Sequence, residues 1–334
     1  MDAPELLHKR LLGMVSKTMA MSNHVDDLPS YEELPVVDGT DLRHAWDVFD
    51  PASGLGTLHH LTPGRRLDAL ASAREGRTIG LGLPLGEPLV PPFGRVGLRH
   101  EVYPANGFSW GDRLDGLDLQ ASTQWDGLLH VQHREAGFYG GHPGPPADAP
   151  HLGIDAWGRS GIVGRGVLVD VGAWLEAQGP YDALERRAVS PDDLLAAVRA
   201  QGTEILPGDV LCVRLGWYAA FRTLSVEDAR TVMTRPVGAG LAAGPATAAF
   251  LWDERVAAVA CDNVTVEVQP GDKADGFLHH RLLTMLGMPL GELFDFEELA
   301  RSCRERGRWD FLFVSVPLNL PGGVGSPGNA VAVV

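Results

Sequence analysis

The feature that most constrains this chain is an alternation in its second half. Apolar runs of strand length, GVLVDV (166–171), DVLCVRL (209–215), VAAVAC (256–261) and FLFVSVPL (311–318), are separated by segments of helical character. Such short runs read as strands buried on both faces of a sheet. Between them, Ser190-Pro191-Asp192-Asp193 supplies an N-cap, a proline at the first helical position and two acids in the first turn. That pattern opens a helix running to about Gln201. Pro245–Trp252, His279–Leu286 (ended by Gly287) and Glu297–Arg306 read as further helices, with shorter ones at Ile154–Ser160 and Ala173–Gln178. Strands alternating with helices of this length predict an α/β fold.

The first half is less regular, which makes a simple doubly wound sheet a poor description. Tyr31–Thr62 is broken by Pro, Asp and Gly. Arg65–Arg74 carries helical spacing, with Gly76 beyond it, and Thr78–Leu85 reads as a strand ending near Pro84. Gly107–Asp118 reads as a loop, and Leu119–Val131 as extended chain before the Gly/Pro-dense stretch 137–150. The expected organisation is an N-terminal arm over residues 1–30, with a short helix at 5–20, followed by one catalytic domain over 31–334.

Charge narrows the partners. With 28 basic and 43 acidic residues the net charge is −15, which disfavours a nucleic-acid partner or an anionic membrane surface. No apolar stretch is long enough for a transmembrane helix, and the first residues lack the pattern of a signal peptide. Three cysteines, Cys212, Cys261 and Cys303, stand far apart with no CxxC, which fits a reducing, cytoplasmic compartment. A P-loop, a dinucleotide fingerprint, a GxSxG elbow and an HExxH helix are all missing.

The chemistry concentrates in QASTQWDGLLH, residues 120–130. In extended chain, side chains at even offsets share a face, so Gln120, Ser122, Gln124 and Asp126 point one way. His130 follows beyond a glycine that lets the chain turn. The bland reading of this segment is an edge strand with a solvated face. A second group is His279-His280 with Glu292, bracketing a helix and its Gly287 stop. Taken alone, a histidine beside a helix is more often a core or surface residue than a ligand.

Together the two groups resemble the metal-dependent cyclase and kynurenine formamidase-like family, whose signature is His-x-Gly-Thr-His-x-Asp-x-Pro-x-His with a late His-x(11)-Glu pair. Here Gln120, Gln124, Asp126 and His130 fall on the ligand and acid/base positions, Leu128 replaces the proline, and His280 and Glu292 have the late spacing. The phrases SGIVGRGVLVDV, GDVLCVRLGW, VAAVACDNVTVEV, HRLLTMLGMPLGELF and VPLNLPGGVGSPGNAVAV resemble the family as well. The likeness extends over roughly residues 30–334 and is greatest to a longer cyclase subgroup in which STQWDG is the usual phrase.

The resemblance implies an α/β/α arrangement around a mixed, partly barrel-like sheet, and a homodimer or higher homo-oligomer. It implies a hydrolase in which metal-activated water attacks an amide, formamide, lactone or cyclic imide, as in arylformamidases of tryptophan catabolism. Asp126, His280 and Glu292 would hold one divalent metal (Mn, Zn or Mg), aided by Gln120 and Gln124, with His130 as acid and base. Two signature histidines are glutamines here. Glutamine is a weak oxygen donor suited to hard cations, so one of the family's two metal positions is expected to be lost. A metal-free cyclase, dehydratase or isomerase, and a small-ligand-binding homologue without activity, are the alternatives. Trp125, Tyr139, His142, Arg214 and Trp217 are the candidate substrate contacts. Each has a plainer reading as core, loop packing or ion pairing, Arg214 with an acid such as Asp262. Asp170 and Glu267, acids inside apolar runs, are read as members of a structural network.

Overall fold

The computed structural model describes residues 28–334. The expected helix over 5–20 and all but the end of the expected arm lie outside the described residues. In chain order the strands are β1 (Thr78–Gly80), β2 (Arg99–Pro104), β3 (Trp110–Asp115), β4 (Gln124–Asp126), β5 (Ile162–Asp170), β6 (Ala188–Val189), β7 (Val210–Arg214), β8 (Gly240–Leu241), β9 (Ala258–Cys261), β10 (Leu290–Glu292), β11 (Asp310–Ser315), β12 (Gly325–Pro327) and β13 (Ala330–Val333). Nine of them form one curled, half-barrel sheet in the order β1-β13-β11-β5-β7-β9-β10-β4-β12.

The centre of this sheet, β5-β7-β9-β10, is parallel. The four apolar runs supply β5, β7, β9 and β11, and their side chains divide between two cores. Val167, Val169, Leu211, Val213, Val259 and Cys261 enter one core, while Leu168, Val210, Cys212, Ala258 and Ala260 enter the other. Burial on both faces is why these strands read as unbroken apolar runs. The crossover helices lie where capping placed them. Pro191–Gln201 has the expected Ser190–Asp193 capping box and ends at Gly202 in the left-handed conformation. The fold is therefore the mixed α/β type that the sequence predicts.

Three local expectations need correction. The segment 107–118, expected as a loop, contains β3, paired antiparallel with β2 in a separate two-stranded hairpin. The extended stretch 119–131 pairs only over Gln124–Asp126. The helix after His279 is a π-helix, His280–Leu286, closed by Gly287 at φ 69°. A side chain at Gly287 would meet the Tyr139 ring at 2.6 Å, so packing as well as φ requires glycine there. Among the described residues, no helix is long and apolar enough to cross a membrane.

Candidate active site and metal-ligand cluster

Strand β4 is the platform of the site. It lies between β10 and β12, both antiparallel to it, with Gln124 opposite Glu292 and Asp126 opposite Gly325. Strand alternation sends Gln124 and Asp126 to one face and Trp125 to the other. Trp125 packs edge-on against Phe294 and Phe313, and its indole N–H donates to Ser315 Oγ at 2.9 Å.

On the face that carries Asp126, three ligand-type side chains converge. Atoms of Asp126, His279 and Glu292 all lie within 4.8 Å of one another, and all three residues are buried. His279 Nε2 is 3.1 Å from Glu292 Oε1 and 3.7 Å from Asp126 Oδ2. Its other nitrogen, Nδ1, donates to Glu267 Oε2 at 3.0 Å. This is the carboxylate–histidine relay that fixes which nitrogen a ligating imidazole presents. The Phe277 ring stacks on the His279 ring at 4.7 Å. Gln124 Nε2 donates to Glu292 Oε2 at 2.7 Å. His130 stands at the rim, with its side chain 22% exposed and Nε2 3.6 Å from Asp126 Oδ1.

The backbone around the two glutamates is strained. Val266 and Leu293, next to Glu267 and Glu292, have φ of 56° and 53°. A β-branched residue at positive φ is a true outlier, and such strain persists only where the surroundings enforce it. Asn263 holds the first of these turns, its side-chain amide donating to the carbonyls of Ala239 and Val266.

Electrostatics follow from three buried carboxylates around one imidazole. Burial opposes charge on His279, but the carboxylates of Glu267, Asp126 and Glu292 around the ring outweigh it, so its pKa is held well above the usual histidine value. Burial and the neighbouring Asp126 push Glu292 up to about 8 against the opposing effect of His279. Burial lowers His130, assisted by His279 and Arg95 and opposed by Asp126.

Several buried acceptors are left without a donor. Both carboxylate oxygens of Asp126, Gln124 Oε1 and Glu267 Oε1 have no hydrogen-bond partner. Buried oxygens of this kind are costly unless a cation or water serves them. Two carboxylates, an imidazole oriented from behind and a free amide oxygen therefore fit one divalent ion.

The histidine of the cluster is His279, where the late-pair spacing pointed to His280. Neighbouring residues at a helix start project about 100° apart, so only one of the two can face Asp126. His280 turns away, edge-on to the rings of His133 and Phe277, and burial with His133 lowers its pKa to about 4. Gln120 lies against Gly325, the residue opposite Asp126, with its amide nitrogen unpartnered.

Of the substrate contacts expected from sequence, Arg214, Trp217 and Trp125 are taken up by other partners. Arg214 is consumed by a two-point pair with Glu297 and a bond to Asp170, while Asp262 accepts from the Leu215 and Gly216 N–H groups. Trp217 is core, stacked on Phe221 and bonded to the Val237 carbonyl. Trp125 belongs to the opposite face. Tyr139 is buried against Gly287, and His142 packs on His151. Glu267, read as a structural acid, is the residue that orients His279. Its signal in the sequence was an acid within the apolar run VTVEV.

Comparison with known proteins bears on the family and the fold. The family model described as "Putative cyclase" matches residues 63–268. A crystal structure described as a novel cyclase is 30% identical, with a TM-score of 0.76, covering 88% of this chain and 100% of its own. Isatin hydrolase A from Labrenzia aggregata, in a structure bound to benzyl benzoate, is 16% identical, with a TM-score of 0.57 over 80% of this chain and 98% of its own. Isatin hydrolase A from Ralstonia solanacearum is 16% identical, with a TM-score of 0.55 over 80% of this chain and 96% of its own. At that identity the two hydrolases show a shared fold alone. A search of curated proteins gave no match. A family match over more than half the chain and the 30% identical cyclase lead to one conclusion: the chain belongs to the cyclase family.

Proposed function

We propose that this protein is a metal-dependent hydrolase that opens an amide, formamide, lactone or cyclic imide at its carbonyl. The observation that carries the reading is the buried Asp126–His279–Glu292 cluster with a partly exposed histidine, His130, against the outer oxygen of Asp126. Two structures of the same fold are hydrolases by name, which supports hydrolysis over ring closure. Asp126, His279 and Glu292 would hold the ion, with Gln124 Oε1 available beside them. An oxygen-rich set with one imidazole suits Mn²⁺ or Mg²⁺ better than the softer sites that select zinc. When bound, a divalent ion supplies Lewis acidity toward a carbonyl oxygen and toward water.

The chain's own residues do the rest. His130, whose pKa burial lowers, is neutral at pH 7 and so can accept a proton from attacking water. It then returns that proton to the leaving nitrogen or oxygen. Asp126 Oδ1 steadies the imidazolium formed between the two steps. The buried free thiols of Cys212, Cys261 and Cys303 support a cytoplasmic location.

The test is metal analysis of purified protein together with turnover of a panel of formamides, lactones and imides. One divalent ion per chain is expected, lost in Asp126→Asn. His130→Ala should retain the ion and lose at least about a hundredfold in kcat, the usual worth of a general base. If no ion co-purifies and added Mn²⁺ changes neither Tm nor turnover, the reading fails. Turnover that survives removal of the ion would favour a metal-free cyclase, dehydratase or isomerase.

A further inference from the structure

Glu267 orients His279, and Glu267 is itself carried by an unusual turn. Its N–H donates to the carbonyl of Thr265, two residues back, around Val266 at φ 56°. A three-residue turn with its central residue at positive φ is rare and strained. Val266 is β-branched and fully buried, so its own preference runs against this backbone. Something outside the turn must enforce it.

Asn263 closes the turn from one side. Its side-chain nitrogen Nδ2 donates to the carbonyls of Ala239 at 2.9 Å, Val266 at 3.3 Å and Glu267 at 3.4 Å. Three carbonyl acceptors can be met only by the nitrogen end of an amide. The oxygen end, Oδ1, is buried without a partner, so donation is the use this side chain serves. Thr265 Oγ1 adds a donor to the Glu267 carbonyl at 2.8 Å. From the other side the Leu241 N–H donates to the Val266 carbonyl at 2.9 Å. That approach depends on Gly240, where a Cβ would lie 2.2 Å from the Glu267 carbonyl carbon. Asn263 also reaches the second carboxylate arm. Its backbone carbonyl accepts from the Leu293 N–H at 2.9 Å, and Leu293, at φ 53°, directly follows Glu292. Both strained positions beside the glutamates that meet His279 are thus tied to one residue.

We infer that Asn263 is a positioning residue for the metal-ligand cluster. Its donor end holds the Val266 turn, the turn aims Glu267, and Glu267 fixes which nitrogen His279 presents. This role presupposes the metal-dependent hydrolase reading for what the cluster binds, while the contacts themselves need no ion.

The experiment is calorimetric titration of the metal-stripped protein with Mn²⁺, with proton NMR of the histidine ring N–H groups in the same samples. Asn263→Ala should weaken Mn²⁺ binding by about ten- to a hundredfold, as loss of an orienting partner does. In a Glu267→Gln background the same change should cost less than about threefold more, because both changes break one chain of contacts. The His279 Nδ1–H, shielded from exchange by its bond to buried Glu267, should exchange faster in Asn263→Ala before any metal is added. Thr265→Val keeps the side-chain size and removes one donor to the same carbonyl. It should show a smaller loss in the same direction, and it carries the test if Asn263→Ala does not fold. Unchanged Mn²⁺ affinity in the folded variant, or the full loss again in the Glu267→Gln background, would overturn the proposal. If wild type takes up no ion but the His279 signal still depends on Asn263, the hydrolase reading fails and the positioning role stands. If that signal is also indifferent to Asn263, both fail.

Discussion

At the scale of single residues the site turns on which of two adjacent histidines faces Asp126. His279 has both ring nitrogens engaged by carboxylates, Glu267 behind and Glu292 in front. His280 lies against His133 and Phe277. We expect His279→Ala to abolish metal retention and His280→Ala to keep it with turnover within a few-fold of wild type, both read by metal analysis and steady-state kinetics. Glu267→Gln should weaken the ion by about ten- to a hundredfold, the usual worth of such an orienting partner. Asp126, Glu292 and His130 were legible because their spacing resembles a family signature. The choice between His279 and His280 was not, because spacing along the chain is one residue loose while projection from a helix start is not. The candidate wall residues failed for a related reason. Arg214, Trp125 and Trp217 are large or charged, but strand pleat and buried acids decide where such side chains go.

At the scale of elements, legibility followed burial. Strands β5, β7 and β9 were readable because both faces are apolar, and the helix Pro191–Gln201 because its caps are local chemistry. Three-residue β4 was legible only as part of a longer extended stretch, since its limits are set by β10 and β12 from distant parts of the sequence. The short turn Gly56–His60 yields a further prediction. His60 is fully buried beneath Phe49 and Trp252, and neither ring nitrogen has a partner. Burial, with Arg65 and Arg255 nearby, lowers its pKa to about 3 from the 6.5 of an ordinary histidine. Between those values the unfolded chain binds a proton that the folded protein refuses. Stability from this group is therefore complete above pH 6.5 and is lost as pH falls toward 3. From pH 7.5 to 5 that amounts to about 2 kcal/mol, at roughly 1.4 kcal/mol per pH unit below 6.5. Denaturant titrations at both pH values should show wild type losing about that much more than His60→Leu; equal losses would reject the assignment.

At the scale of the whole molecule, the surface is uneven. Nine large apolar side chains between Leu85 and Leu114 are exposed, among them Phe108 at 102% and Trp110 at 73%. A lone two-stranded hairpin such as β2–β3 is barely stable in water, and a lasting interface needs roughly 800 Å² from each partner. Nine such side chains offer an area of that order, and we propose that a second copy of the chain covers them. Light scattering should show a dimer that Phe108→Ser with Trp110→Ser converts to a folded monomer; a monomeric wild type would overturn this. The arrangement of β4 has a consequence for biosynthesis. Gln124 and its partner Glu292 stand 168 residues apart in the chain. At ordinary translation rates the ribosome needs about 10–30 s to make that stretch. Until it does, Asp126 waits on a nascent chain without the strand that will seat it, so the site can assemble only after Glu292 has been made.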